Sequence, residues 1–195
     1  MSNTCFTTYK IVGKKESVAK LHKTIKELDD RLTPLVENEW YNPKLWLGCL
    51  VAALGGNPED TLCRGTITNY EQTNDVLTIN TETAWAEMAE TRRYIKDCFP
   101  DLDIYYLEEE EGCERFNTND AKGLFFKERY YLDSSDGAKY FCTLQEVADY
   151  AEDVVGHKLE VSFSCLKDAL GNYAEEHEED EVRYDLYEIK VCEVD

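Results

Sequence analysis

Two amphipathic stripes set between strand-like runs constrain this chain most. Val18, Leu21, Ile25, Leu28 and Leu32 recur at spacings of 3, 4, 3 and 4 residues, which places them on one face of a helix that Pro34 should stop. Lys20, Lys23 and Lys26 fall on its other faces. Trp85, Met88, Arg92, Ile95 and Phe99 form a second stripe, in a helix predicted over Thr83–Cys98 with Pro100 just past its end. Each helix must bury its stripe against another layer. Strand-like runs supply that layer: Thr4–Val12, Leu62–Tyr70, Val76–Asn80 and Asp103–Glu108, with a hairpin turn at Asn74-Asp75. The resulting order is β-α-β-β-α-β, with residues 33–61 inserted after the first helix and carrying a short predicted helix, Lys44–Leu54. That order is the split βαβ, or ferredoxin-like, arrangement, so an α+β fold is expected: an antiparallel sheet with helices on one face.

The second half reads as an elaboration. Leu124–Leu132 and Ala138–Cys142 have strand character around a turn at 133–137. Thr143 and Glu146 match the capping box, in which each side chain satisfies the other residue's free backbone N–H, and a helix should run from Leu144 to Val155 and close at Gly156. Ser162 can cap another helix bearing Phe163, Leu166, Leu170 and Tyr173, and Val182–Val191 closes the chain as a strand with a break near Tyr187. The expected organisation is a domain over residues 1–132, including the 33–61 insertion, and a C-terminal α/β extension over 133–195 packed on the same unit.

Charge restricts the partners. The chain carries a formal net charge of −20, with 12 Lys+Arg against 14 Asp+Glu in residues 1–100 and 9 against 27 in residues 101–195. Such a field repels nucleic-acid phosphate and anionic membrane and attracts basic partners. No Lys/Arg cluster offsets it, so direct nucleic-acid binding is not expected. The eight cysteines are scattered without a CxxC pair, which fits free thiols in a reducing compartment better than a disulfide framework or a zinc site. The N-terminus lacks an apolar signal core, and the longest apolar run, Leu45–Leu54, is half the roughly 20 residues a membrane span needs. A soluble, cytoplasmic protein is expected.

The segments Leu77–Trp85, Phe99–Tyr106 and Glu110-Glu111-Gly112 stand in a recognisable order: a strand ending in Thr83-Ala84-Trp85, a helix ending in Phe99-Pro100, a strand, then an acid and Gly. Together with Asn3–Gly13 they resemble the YubB-type ferredoxin-like family over about residues 3–132. That family occurs on plasmids, phages and other mobile elements, including those of gut Bacteroidales. Ala86-Glu87-Met88 departs from the Ser-Pro-Pro that often follows the Trp there. The resemblance implies the ferredoxin-like fold and a mobile-element setting. It implies no iron–sulfur cluster, and the cysteine spacing offers none. No cofactor is expected.

Candidate chemistry is thin. Glu108, Glu109, Glu110 and Glu111, with Glu114 nearby, could offer oxygens to a divalent cation, although alternate residues of a strand point to opposite faces. A solvated strand end is the plainer expectation. Of the three histidines, His22 flanks a helix, His157 follows a turn and His177 lies in a glutamate run, so none is placed as a base beside a nucleophile. Gly55-Gly56-Asn57-Pro58 lacks a phosphate-loop pattern. Trp46 and Trp85 lie on apolar stripes and are expected in the core, whereas Trp40 and Tyr41, in the insertion, are the surface-anchor candidates. These readings favour a non-enzymatic interaction protein, a mobile-element or phage accessory factor acting on a basic or nucleic-acid-binding protein through an acidic surface. A sharper form is DNA mimicry. The alternative is a divalent-metal-dependent enzyme or metal-binding protein with a carboxylate site near residues 108–114.

Overall fold

The computed structural model describes residues 3–37, 44–177, 179 and 181–192. Alternation organises the first strand, β1 (Thr4–Gly13), in which Cys5, Thr7, Tyr9 and Ile11 are buried and Phe6 is exposed. Directly paired residues share a face, so the register extends this buried face sideways. β3 (Val76–Ala84) sets Ile79 opposite Tyr9 and Thr81 opposite Thr7, and β4 (Leu102–Glu110) sets Tyr106 opposite Tyr9 and Glu108 opposite Thr7. β2 (Gly65–Thr73) pairs with β3 through a two-residue turn in which Asn74 takes φ +56°, as such hairpins require. β5 (Arg115–Thr118) adds to β4, giving the antiparallel order β2-β3-β1-β4-β5 in this part of the chain.

α1 (Lys15–Asp29) and α3 (Ala89–Cys98) lie on the buried face of this sheet, joined there by the short α2 (Leu47–Ala53). Val18, Leu21, Ile25 and Leu28 of α1 are buried, each contributing about 1.5–3 kcal/mol over an exposed position. Gly13 sits at φ +140° against the Asp101 carbonyl, where a Cβ would come within 2.2 Å of that oxygen, so no other residue fits this chain crossing. The Leu45–Trp46 segment lines the outer edge of β2, with the Ile67 N–H donating to the Leu45 carbonyl at 2.9 Å and Trp46 bridged to Thr66. Beyond it β2 is irregular between Ile67 and Asn69.

The chain forms two compact units, residues 1–120 with 192–195, and residues 121–191. The sequence reading carried the first domain to residue 132. The division at 120/121 has a structural reason: β6 (Tyr130–Ser134) pairs with β7 (Lys139–Phe141) and β8 (Tyr184–Glu188), in the antiparallel order β7-β6-β8. α4 (Leu144–Val155) and α5 (Phe163–Glu176) close a core of their own around Leu132, Val147, Ala148, Ala151, Leu166, Leu170 and Leu186. The Thr143–Glu146 capping box forms, Gly156 ends α4 at φ +77°, and Ser162 Oγ accepts from the Cys165 N–H to open α5.

Three expectations are corrected. The first helix stops at Asp29, and Leu32 is fully exposed beyond it; Asp29 and Asp30 put negative charge where the helix dipole disfavours it. The strand expected from Leu124 begins only at Tyr130, because the Arg129 guanidinium takes the carbonyls of Phe126 and Glu128, both at 2.7 Å. The second helix starts at Ala89, not Thr83, because β3 continues through Ala84 in register with β1 and β2.

Acid is shared between the units rather than concentrated in one. The first unit holds 13 Lys+Arg and 24 Asp+Glu, the second 8 and 17. Among the described residues no helix is long and apolar enough to cross a membrane.

Candidate functional site

β4 ends in glutamates, and its alternation decides their fates. Glu108 and Glu110 fall on the buried face and are each only 2% exposed. Glu109 is half-buried and Glu111 exposed. The expectation of a solvated strand end is therefore wrong for half of this run. Burial of a carboxylate is tolerable only with full hydrogen bonding, and both residues have it. Glu110 accepts from the N–H groups of Gly112 (3.0 Å) and Cys113 (2.7 Å), turning the chain into a single helical turn before β5. Glu108 accepts from Arg115 Nε at 2.9 Å and from Asn117 Nδ2 through one oxygen. Its other oxygen accepts from the Glu87 N–H at 2.7 Å and lies 3.9 Å from the Cys5 thiol.

The Glu87 N–H bond joins β4 to the segment between β3 and α3. Glu87 of that segment forms a buried ion pair with Arg92 of α3, Arg92 Nε donating to Glu87 Oε1 at 2.9 Å, with the Glu87 side chain 6% and the Arg92 side chain 9% exposed. Tyr9 Oη donates to the same oxygen at 3.1 Å, and the guanidinium stands 5.0 Å from the Tyr106 ring centroid. Burial pushes the Glu87 carboxyl above the usual carboxylate range; Arg92 and the Tyr9 hydroxyl pull against that shift without cancelling it. Burial likewise drives the Cys5 thiol up to about 11, which leaves it a poor nucleophile near neutral pH.

Above this network the chain makes a turn over residues 84–88 that places Trp85 outside. Trp85 is 44% exposed and adopts φ +74°, a conformation that costs an L residue roughly 1–2 kcal/mol. The core position expected for it is incorrect, since it belongs to a strand end and not to the helical stripe. Trp46, by contrast, is in the core, its indole N–H donating to the Cys63 carbonyl at 2.8 Å. Trp40 and Tyr41 lie outside the described residues.

Little in this arrangement resembles a reactive centre. Among the described residues no group of three His, Cys, Asp or Glu side chains could hold a metal ion. His157 and His177 direct Nδ1 to the carbonyls of Lys158 and Tyr173, and His22 packs edge-on to Tyr70. A shallow hollow beside α3, lined by Arg92, Arg93, Lys96, Asp103, Tyr105 and Asn119 among others, holds about 120 Å³, well below the roughly 300 Å³ at which ligand pockets begin.

The sequence reading singled out Glu108–Glu111 but missed Cys5, Glu87, Arg92, Arg115 and Asn117. One signal was available: Arg92 occupies an apolar helical stripe between Met88 and Ile95, where a guanidinium needs an anion.

No family model and no curated protein matches the chain. Among solved structures, an unknown protein from Galdieria sulphuraria aligns over 97% of this chain and 99% of that one, at 11% identity and a TM-score of 0.25. A score that low carries no argument about fold or function.

Proposed function

We propose that this chain is a protein-interaction domain that acts through its acidic exterior, with a first unit of the ferredoxin-like kind resembling the YubB-type mobile-element proteins. The strand order β2-β3-β1-β4, all antiparallel, with α1 and α3 on one face, supports the ferredoxin-like reading. One observation carries the functional reading. The buried ionic side chains Glu87, Arg92 and Glu108 are bonded to one another's segments and to Tyr9, Arg115 and Asn117, so the chemistry-bearing groups serve the fold. Among the described residues the buried acids are Glu87, Glu108, Glu110 and Asp120, so the excess negative charge lies outside, where it favours a basic partner.

Affinity capture on the immobilised full chain tests this. The expected result is retention of a basic or nucleic-acid-binding protein that is released by moderate salt. Release of the same protein by duplex DNA would support the mimicry form. Recovery of background proteins alone at low salt would overturn the reading.

A further inference from the structure

The second unit is built more thinly than the first. Its sheet has three strands, and β7 is three residues long. Among the described residues its core cluster comprises seven side chains, two of them the alanines 148 and 151, against twenty-one in the core cluster of the first unit. Tyr130, Phe141, Tyr150, Phe163 and Tyr184 pack around the smaller core only partly buried. Apolar burial is the main favourable contribution to folding, and a unit of 71 residues with so few enclosed side chains gains little from it.

Two further features lower its stability. Gly171 lies inside α5, where glycine loses more backbone freedom than alanine would; a Cβ built on it meets nothing within 4 Å, so no close packing demands a glycine there. The unit also carries 8 Lys+Arg against 17 Asp+Glu, a denser excess of negative charge than the 13 against 24 of the larger first unit, and like charges oppose a compact state. Its ends, by contrast, are pinned. The chain crosses from one unit to the other only at 120/121 and 191/192. The Cys192 N–H donates to the Thr118 carbonyl at 2.8 Å, so residues just outside the two crossings are bonded to each other within the first unit. A segment whose ends stay together refolds without having to bring them together again.

We infer that residues 121–191 open and reclose as one cooperative module while the sheet and helices of the first unit stay folded. The module is thereby the adaptable part of the protein, since segments that reorganise on binding come from the least stable parts of a fold. This inference stands apart from the acidic-interaction reading.

Native-state hydrogen exchange of the full chain tests it, with single amides followed by NMR through a series of urea concentrations below the unfolding transition. Wild-type amides of β6, α4, α5 and β8 should converge on one opening equilibrium, reached at lower urea than that of β1 and β3. Gly171→Ala should slow exchange about fivefold in all four elements and leave β1 and β3 unchanged. Leu170→Ala, which empties a fully enclosed core position, should speed exchange at least about tenfold in the same four elements, again without touching β1 and β3. Effects confined to α5 would reduce the motion to fraying of one helix and overturn the module. Equal effects in β1 and β3 would mean that the chain unfolds as a whole, and would overturn it too. So would wild-type amides in the second unit that open no more readily than those of the first.

Discussion

Glu87 titrates against its own burial, and the sign of that effect is testable. A carboxyl whose folded pKa lies above its unfolded value adds stability as pH falls through the folded value, reaching its full contribution below the ordinary carboxylate range near about 4. Wild type should therefore gain stability relative to Glu87→Gln as pH falls toward that range, as read from urea midpoints across a pH series. A relative loss would show that Arg92 dominates instead. Glu108 is a different case. Removing it strands the Glu87 N–H, Arg115 and Asn117 together, so Glu108→Ala should cost about 3–5 kcal/mol, measured by chemical denaturation. Thr81 points the other way: it is 2% exposed, and its Oγ1 has no hydrogen-bond partner. Thr81→Val keeps the shape and removes the stranded hydroxyl, so it should raise stability by about 1 kcal/mol. A lower melting temperature for that variant would contradict this.

Elements whose signals are local were the legible ones. α4 follows from Thr143, Glu146 and Gly156 alone, and the structure places its ends at Leu144 and Val155. Thr143→Ala should cost about 1 kcal/mol, seen as a lower melting temperature and reduced protection of the first-turn amides from exchange. The order of strands and helices in the first unit was also legible, because Val18, Leu21, Ile25 and Leu28 show their period within a single helix. What escaped was set by register between distant segments. Nothing local to Trp85 says that β3 runs on through Ala84; that follows from Thr4 pairing with Ala84 and Gly65 with Thr83. Glu108 likewise looks like surface until Thr7 and Asn117 are seen on either side of it. Leu32 and Leu124 misled for the converse reason, since apolar side chains at the right spacing were left outside by the aspartates at the end of one helix and by Arg129 before one strand.

For the whole molecule, self-repulsion opposes compactness. A net charge of −20 over two compact units should make the folded chain more stable as salt screens it, so the melting temperature at neutral pH should rise between about 10 and 200 mM sodium chloride. A flat or falling trend would mean that attractive pairs outweigh the repulsion. Thiol chemistry should follow burial. None of the eight cysteines forms a disulfide, and Cys98, Cys113 and Cys142 are exposed, whereas Cys5, Cys49 and Cys63 are enclosed. The outermost strand of the first sheet has a last consequence. β2 lends its rim near Thr66 to the Leu45–Trp46 segment and then loses regular spacing at Thr68, with Glu71 further along. A second molecule drawing alongside meets an occupied stretch, then a kink, then a charge, so crowded copies lack a continuous seam on which to zip into fibrils.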